Sequence, residues 1–392
     1  MLPTNLNQGH IMTNPEEKED TIVIHAVGDV LVNRDDPDSM FAFTADTIKK
    51  ADIAFCQLET TYSEGGGCQI WAPIAVRAHP RNASAIKNAG FNAVSLAGNH
   101  CGDYGHDALL DTIDLLKDLG LHVIGVGRNI MEARKPVIIE KKGIKVGFLA
   151  YNTILPHGYW AEANRPGCAP MRALTFYEPI EPEQPGIVCR ILTAPHPMDF
   201  RNMIADITRL RQQADIVIVS HHWGLHFIPG AIADYQREVG HAAIDAGADL
   251  ILGHHAHILK GIEVYKNKAI IYSMGNFAFD SSMTKERFES PLFQERRTLL
   301  HPNWNYDPEY PNYFFPADSR KTLLFKIIVS ERKIRRISFL PADTLKTKQP
   351  EFLKRQDKRS QEVFDCMSWL NREAGFDTKM FFEGDEVSIA TD

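Results

Sequence analysis

Short apolar runs that each end in a polar residue constrain this chain more than any other feature of its sequence. These runs are rich in β-branched residues, and they alternate with segments such as 107–119, where leucine and isoleucine recur at helical spacing before a glycine. Alternation of this kind predicts an α/β fold with several short strands. The predicted strands that matter most for function are 21–27, 51–59, 91–97, 215–220, 249–252 and 268–273.

The residues at the ends of these strands are of the types that bind divalent metal ions. Ligands in open α/β sheets bind at the carboxyl ends of strands, so side chains that are far apart in the chain can meet there. Carboxylates mixed with imidazoles suit Zn, Mn or Fe, and there are more candidates than one tetrahedral ion needs. A site for one metal, or for two that share a bridging carboxylate, is therefore predicted. The candidates are Asp29, Glu59, Asn99, His100, His222, His255 and His257.

Each of these residues also has an ordinary structural explanation. An aspartate after a strand commonly forms a turn, and a single histidine at a strand end is more often structural than a ligand. Segment 253–257 is the most specific, because it holds three histidines within four positions. All of the candidates follow short predicted strands, in the order acid, acid, Asn-His, His and HxH, and this combination favours a metal site.

The composition and charge exclude several classes of protein. The chain has 392 residues, with 43 Lys+Arg against 50 Asp+Glu and a net charge of −7, so no nucleic-acid partner is expected. No apolar run approaches the roughly 20 residues of a membrane span. Residues 1–20 are polar and lack the apolar core of a signal peptide, so we expect a flexible leader and no membrane partner. The six cysteines form no CxxC pair, and the expected compartment is the cytoplasm.

Two segments interrupt the α/β pattern. Residues 154–199 are rich in proline, and residues 281–320 are rich in aromatic residues and proline. Long segments of this kind are often lids or binding loops, and a surface insertion is the alternative. Nothing in the composition requires a division, so we predict one domain over residues 21–345 with these two insertions, followed by a peripheral C-terminal segment over residues 346–392.

Six ordered motifs carry a resemblance to a known family. They are VGDVL at 27–31, QLET at 57–60, SLAGNHCGDYG at 95–105, SHHWG at 220–224, GHHAHILKGIE at 253–263 and YSMGNF at 272–277. With these motifs, the chain resembles the CapA family of capsule and poly-γ-glutamate synthesis proteins, a branch of the calcineurin-like metallophosphoesterase superfamily. The resemblance implies an α/β fold in which mixed β-sheets are flanked by helices as a four-layer αββα sandwich.

The resemblance also implies a role for each site residue. Glu59 would bridge two metals, and His100 would act as an acid or stabilise the transition state. Asp103 would hold His100 in one tautomer, and Asn276 would support the site from below. The metal ligands that the resemblance implies are Asp29, Glu59, Asn99, His222, His255 and His257.

The chain departs from the superfamily pattern at identifiable positions. Leu31 stands where ordinary phosphoesterases have the histidine of an Asp-x-His element, so one metal would be held poorly or would not bind, which weakens a phosphatase assignment. Ala256 replaces the usual proline between two histidines. His221 and His254 precede the implied ligands, and we expect them to lie behind the site or face the sheet. Many relatives carry an N-terminal membrane anchor, which residues 1–20 do not resemble, so a role in polymer export is not expected.

The leading hypothesis is a metal-dependent hydrolase that cleaves a γ-glutamyl or peptide-like amide. A metal-activated water would attack the carbonyl, and His100 would protonate the leaving group. Phosphoester hydrolysis, metal-assisted epimerisation of a peptide and a non-catalytic part in poly-γ-glutamate synthesis remain open. The expected partner is a small molecule or peptide that carries a carboxylate, and homo-oligomer formation is left open. Candidate carboxylate-binding residues, with plain surface positions as the alternative, are Arg34, Arg77, Arg128 and Arg165.

Overall fold

A computed structural model describes residues 20–72, 74–281, 283–301 and 304–391. The predicted leader lies outside these residues except at Asp20. The strands are β1 Ile22–Leu31, β2 Ile53–Leu58, β3 Thr61–Tyr62, β4 Arg77–Ala78, β5 Ala93–Ser95, β6 His122–Ile124, β7 Val126–Gly127, β8 Val137–Lys141, β9 Ile144–Asn152, β10 Gly167–Cys168, β11 Ala173–Pro179, β12 Cys189–Pro195, β13 Ile216–His222, β14 Leu250–His254, β15 Ile262–Tyr265, β16 Lys268–Ile271, β17 Asn276–Phe279, β18 Lys321–Ser330, β19 Lys333–Thr344, β20 Pro350–Phe352, β21 Met380–Glu383 and β22 Glu386–Ile389. The helices are α1 Ala45–Ile48, α2 Ser84–Asn88, α3 Gly105–Asp118, α4 Ile130–Ala133, α5 Pro197–Arg211, α6 Asp234–Asp245, α7 Lys285–Phe288, α8 Pro291–Leu300 and α9 Lys358–Glu373.

Two large mixed sheets form the centre of the protein. The ten-stranded sheet has the order β21-β22-β19-β18-β1-β2-β5-β6, with β17 beside β1 and β20 beside β19. The six-stranded sheet has the order β15-β16-β14-β13-β9-β8. In each sheet the strands near the site are parallel, as in β1–β2 and β13–β14. The mixed α/β class predicted from the sequence is confirmed.

The two sheets pack face to face with helices on their outer surfaces. The rings of Phe55 and Phe148, one from each sheet, stack with centroids 5.9 Å apart. They lie in a core of buried side chains that both sheets contribute. Helices α5 and α6 bury Met203 and Val239 against Val217 on the outer face of the six-stranded sheet. Ile86 of α2 and Leu109 of α3 belong to the large apolar core, which also contains side chains of both sheets. This is the predicted αββα order.

The two segments that interrupt the pattern have their own structure. Residues 154–199 contain β10 and the β11–β12 hairpin, which pairs only within itself among the described strands. Residues 281–320 contain α7, α8 and a cluster of aromatic side chains. The C-terminal residues add β20, β21 and β22 to the ten-stranded sheet and place α9 against β19. No helix in the described part of the chain is long and apolar enough to cross a bilayer.

Gly28, near the end of β1, lies where two backbone segments approach closely. A Cβ atom at this position would lie 1.9 Å from the carbonyl oxygen of Gly275, which accepts a 2.9 Å hydrogen bond from the amide of Asp29. The clash involves backbone atoms on both sides, so relieving it would require an unfavourable shift of the main chain. We therefore expect Gly28→Ala to lower the free energy of unfolding by about 3 kcal/mol or more, measured by urea denaturation.

Gly67 offers a matched control for this substitution. No atom of a described residue lies within 4 Å of the position that its Cβ would take. Gly67→Ala should change the free energy of unfolding by less than about 0.5 kcal/mol. Equal stability of the Gly28→Ala and Gly67→Ala variants would contradict the close approach.

Candidate metal centre

Three side chains from three strand ends meet at the edge that the two sheets share. Asp29 lies near the end of β1, Glu59 follows β2 directly, and His222 is the last residue of β13. One ligand atom from each lies within 4.8 Å of the other two, and all three side chains are fully buried. Parallel strands that end at one edge bring these distant residues together.

A first group of donor atoms surrounds Nε2 of His222. Oδ1 of Asn99 lies 2.6 Å away and Nδ1 of His255 lies 3.2 Å away. Oε1 of Glu59 lies at 3.5 Å. Ligands bound at about 2.0–2.2 Å to one tetrahedral ion are separated by roughly 3–3.5 Å. One nitrogen and two oxygen donors thus lie within 3.5 Å of Nε2 of His222, close to the spacing of ligands that share an ion.

A second group forms around Asp29. Its Oδ2 lies 3.7 Å from Nδ1 of His257 and accepts a 3.2 Å hydrogen bond from the amide of His255. Nδ1 of His257 also lies 2.7 Å from Oδ1 of Asn276. Leu31, where the superfamily pattern has a histidine, packs in an apolar cluster instead. The second group therefore lacks a histidine donor at this position.

The backbone of the HxH turn is held in an unusual conformation. His255 and His257 have φ angles of 88° and 57°, the left-handed region that non-glycine residues seldom adopt. Such residues cost of the order of 1–3 kcal/mol each and cluster at functional sites. The hydrogen bond from His255 to Asp29 helps to hold this turn.

The electrostatics of the cluster fit a bound cation. Oδ1 of Asp29 and both carboxylate oxygens of Glu59 are buried, and no described residue donates a hydrogen bond to them. Burial raises the pKa of Glu59, and the charges of Asp29 and Asp103 raise it further. Burial and neighbouring imidazoles lower the pKa of His222 and of His255. Neutral imidazoles beside unsatisfied carboxylates are the state in which a divalent ion binds, so the residues fit such an ion.

His100 and Asp103 form a pair beside the cluster. Nδ1 of His100 donates to Oδ2 of Asp103 at 2.6 Å, and that oxygen also accepts from the amide of Val76 at 2.7 Å. The hydroxyl of Tyr159 donates to the other oxygen of Asp103 at 3.0 Å. These contacts fix the imidazole and leave Nε2, which lies 4.0 Å from Oε1 of Glu59, on the open side of the site.

His221 and His254 differ in their relation to the cluster. His221 stacks between Tyr151 and Trp223, on the face of β13 opposite His222. Nδ1 of His254 lies 3.4 Å from Oδ1 of Asp29.

Sequence reasoning missed His226. Its ring centroid is 3.8 Å from that of His255 and 5.3 Å from that of His257, and it lines the cavity over the site. The one available signal was its position four residues after His222 in a histidine-rich motif.

A cavity of about 290 Å³ opens above the cluster. Asn99, His100, His255 and His257 line one side of it. The arginines that line it come from the 281–320 segment, and they are Arg287, Arg296 and Arg297.

The four arginines proposed from the sequence are placed elsewhere. Arg34 pairs with Asp280, Arg128 with Asp114 and Arg165 with Glu162, while Arg77 covers the ring of Tyr104. None of the four is among the described residues that line this cavity.

The fold and site together define an α/β protein with a buried carboxylate, amide and imidazole cluster that could hold a divalent metal. The family described as "Bacterial capsule synthesis protein PGA_cap" matches residues 21–281, and the chain belongs to that family. This confirms the resemblance noted from the motifs.

Two relatives and one solved structure show how far the similarity extends. The PGA biosynthesis protein CapA of Bacillus subtilis (strain 168) is 29% identical over 287 residues, which cover 70% of this chain and 68% of that protein. The capsule biosynthesis protein CapA of Bacillus anthracis is 32% identical over 222 residues, or 56% of this chain, and the match spans only 48% of that relative. A hypothetical protein from Thermus thermophilus is similar with a TM-score of 0.43 and 15% identity, over 82% of this chain and 99% of that one.

Proposed function

We propose that this protein is a metal-dependent hydrolase that cleaves an amide bond in a substrate bearing a carboxylate. One observation carries the proposal: the buried cluster faces a cavity large enough for an organic molecule, and His100 lies at the boundary between the two. A metal-binding group, a fixed imidazole and a substrate cavity are the parts that metal-assisted hydrolysis needs.

The first group of donors is our candidate for the principal metal site. It consists of Glu59, Asn99, His222 and His255, and we infer that it holds Zn, Mn or Fe. Asp29 and His257 would hold a second ion with Glu59 as the bridge, more weakly because Leu31 supplies no donor. A bound ion would supply Lewis acidity, which polarises a carbonyl and lowers the pKa of a bound water.

His100 is the proposed proton donor to the leaving amine. Asp103 accepts from its Nδ1, so Nε2 is the nitrogen that faces the cavity. Proton transfer by a positioned side chain contributes about 10²–10⁴-fold to rate.

An amide is favoured over a phosphoester for two reasons. The relatives are named for PGA and capsule biosynthesis, and poly-γ-glutamate is built from amide bonds. In addition, phosphoester hydrolysis by analogy with the superfamily would use two metal ions that together clamp the reacting group. Leu31 supplies no ligand for one of these ions, so this clamp would be incomplete.

The test offers three probes to the purified protein after loading with Zn²⁺ or Mn²⁺. The probes are γ-glutamyl-p-nitroanilide, bis-p-nitrophenyl phosphate and a short peptide in deuterated water. We expect release of amine from an amide substrate. Release of nitrophenol from the phosphodiester alone, or deuterium at Cα without cleavage, would replace the proposal by phosphoester hydrolysis or by epimerisation.

A further inference from the structure

Aromatic side chains form the walls of the cavity above the cluster. The ring of His257 lies 5.2 Å from that of Phe315 and 5.3 Å from that of Phe279. The ring centroids of Phe227 and Trp304 lie 4.6 Å apart. The indole nitrogen of Trp304 donates a 3.0 Å hydrogen bond to the carbonyl oxygen of Phe314. The 281–320 segment thus places an apolar wall beside the imidazoles of the site.

The charged groups on this wall are mostly positive. Asp103 is the one acidic side chain among the described residues that line the cavity, and His100, Val76 and Tyr159 already donate to it. The cationic side chains are Arg287, Arg296 and Arg297, all from α7 and α8. The cavity therefore favours a ligand with an anionic group opposite the cluster.

Arg296 is the arginine best placed to bind that group. It is exposed toward solvent, lines the cavity, and makes no hydrogen bond or ion pair with a described residue. Arg297 beside it has a buried Nη1 to which no described residue offers an acceptor, so this wall carries unneutralised positive charge.

The apolar walls restrict how many charges a ligand can bring. Every residue of a γ-glutamyl polymer carries a carboxylate, and a second carboxylate placed against Phe293, Trp304 or Phe314 would lose water without gaining a partner. One carboxylate at the arginines and an apolar body along the aromatic wall satisfy both parts of the cavity. A cavity of about 290 Å³ is near the lower end of ligand pockets, so the ligand is small.

We infer that the cavity takes an N-acylated apolar α-amino acid, with its free carboxylate on Arg296, its side chain on the aromatic wall and its amide carbonyl toward the cluster. The inference rests on the proposed function for the identity of the bond that breaks. In that reaction the amide C–N bond breaks, water adds OH to the acyl carbon, and its remaining proton reaches the amine nitrogen through His100. The products are a carboxylic acid and a free apolar amino acid.

The test compares three probes by isothermal titration calorimetry against the full chain loaded with Zn²⁺. They are N-acetyl-L-phenylalanine, N-acetyl-L-phenylalaninamide and tri-γ-L-glutamate. We expect the acid to bind about 30-fold more tightly than its carboxamide, the size of one hydrogen-bonded charge pair, and also more tightly than tri-γ-glutamate. Tighter binding of tri-γ-glutamate would overturn the inference.

Two variants assign the carboxylate contact. Arg296→Gln should bring the acid and the carboxamide to within about threefold of each other, and Arg296→Lys should keep part of the difference. Arg201→Gln changes an exposed arginine of α5 that does not line the cavity. This variant should keep the full difference in affinity between the acid and the carboxamide. A 30-fold difference that survives in Arg296→Gln would mean that the carboxylate binds elsewhere, at Arg297 or at the metal, and would overturn the inference.

Turnover separates this inference from the proposed function. If N-acetyl-L-phenylalanine binds through Arg296 but no amide releases amine, the hydrolase proposal fails and the binding site stands. If γ-glutamyl-p-nitroanilide is cleaved while N-acetyl-L-phenylalanine neither binds nor reacts, the hydrolase proposal stands and the substrate inference fails.

Discussion

His222→Ala is expected to remove both metal binding and the proposed hydrolase activity. Nε2 of His222 is the atom around which Asn99, His255 and Glu59 gather, at 2.6, 3.2 and 3.5 Å. Loss of a residue that only supports a ligand typically costs 10–100-fold in metal affinity, and loss of this ligand should cost more than about 100-fold. Elemental analysis of the purified variant should find less than about a tenth of the wild-type metal content, with amine release below detection.

His221→Phe is the matched control on the same strand. His221 points to the opposite face of β13, where it stacks between Tyr151 and Trp223. Burial lowers its pKa to about 3, so it is neutral and a phenyl ring can replace it in the stack. This variant should keep its metal and activity. Equal metal content in a folded His222→Ala variant, with circular dichroism as the check on folding, would remove the assignment of the site.

The convergence of the site could be predicted because it follows from strand periodicity. The end of each strand can be predicted from a short stretch of sequence. Because parallel strands present their carboxyl ends at one edge of a sheet, the residues at these ends are then expected to meet. The predicted run 215–220 is extended in the structure to Ile216–His222, so His222 ends the strand itself. Asn99 follows β5 by four residues and still reaches His222, as the motif implied.

The cavity wall could not be predicted in the same way. The sequence marked residues 281–320 as aromatic, but the place of Arg296 depends on how Trp304 packs on Phe227, which is a contact between distant segments. Likewise, His226 reaches the cluster because the chain turns after β13, where Phe227 has a φ of 56°. Contacts of this kind depend on tertiary packing and leave no periodic signal. For the same reason, Arg34 and Arg128 were plausible from charge alone but are paired elsewhere.

Asp103→Asn is expected to lower kcat by about 100- to 1,000-fold while the metal content stays unchanged. The carboxylate requires a proton on Nδ1 of His100, so that Nε2 faces the cavity. An asparagine amide can instead donate to Nδ1, which reverses the tautomer. Steady-state kinetics with an amide substrate, together with elemental analysis, measure both effects.

Tyr159→Phe distinguishes this effect from a general disturbance of the pocket. It removes the 3.0 Å hydrogen bond to the other oxygen of Asp103 but leaves the carboxylate and its contact with His100 in place. A hydrogen bond to a charged group contributes about 1.5–3 kcal/mol, but this one does not contact His100, and Asp103 keeps the amide of Val76 as a donor. We therefore expect kcat to fall by less than about tenfold. If Asp103→Asn lowered kcat no more than Tyr159→Phe does, His100 would not be the proton donor, and the leaving amine would have to take its proton from water or from His226, the other imidazole that lines the cavity.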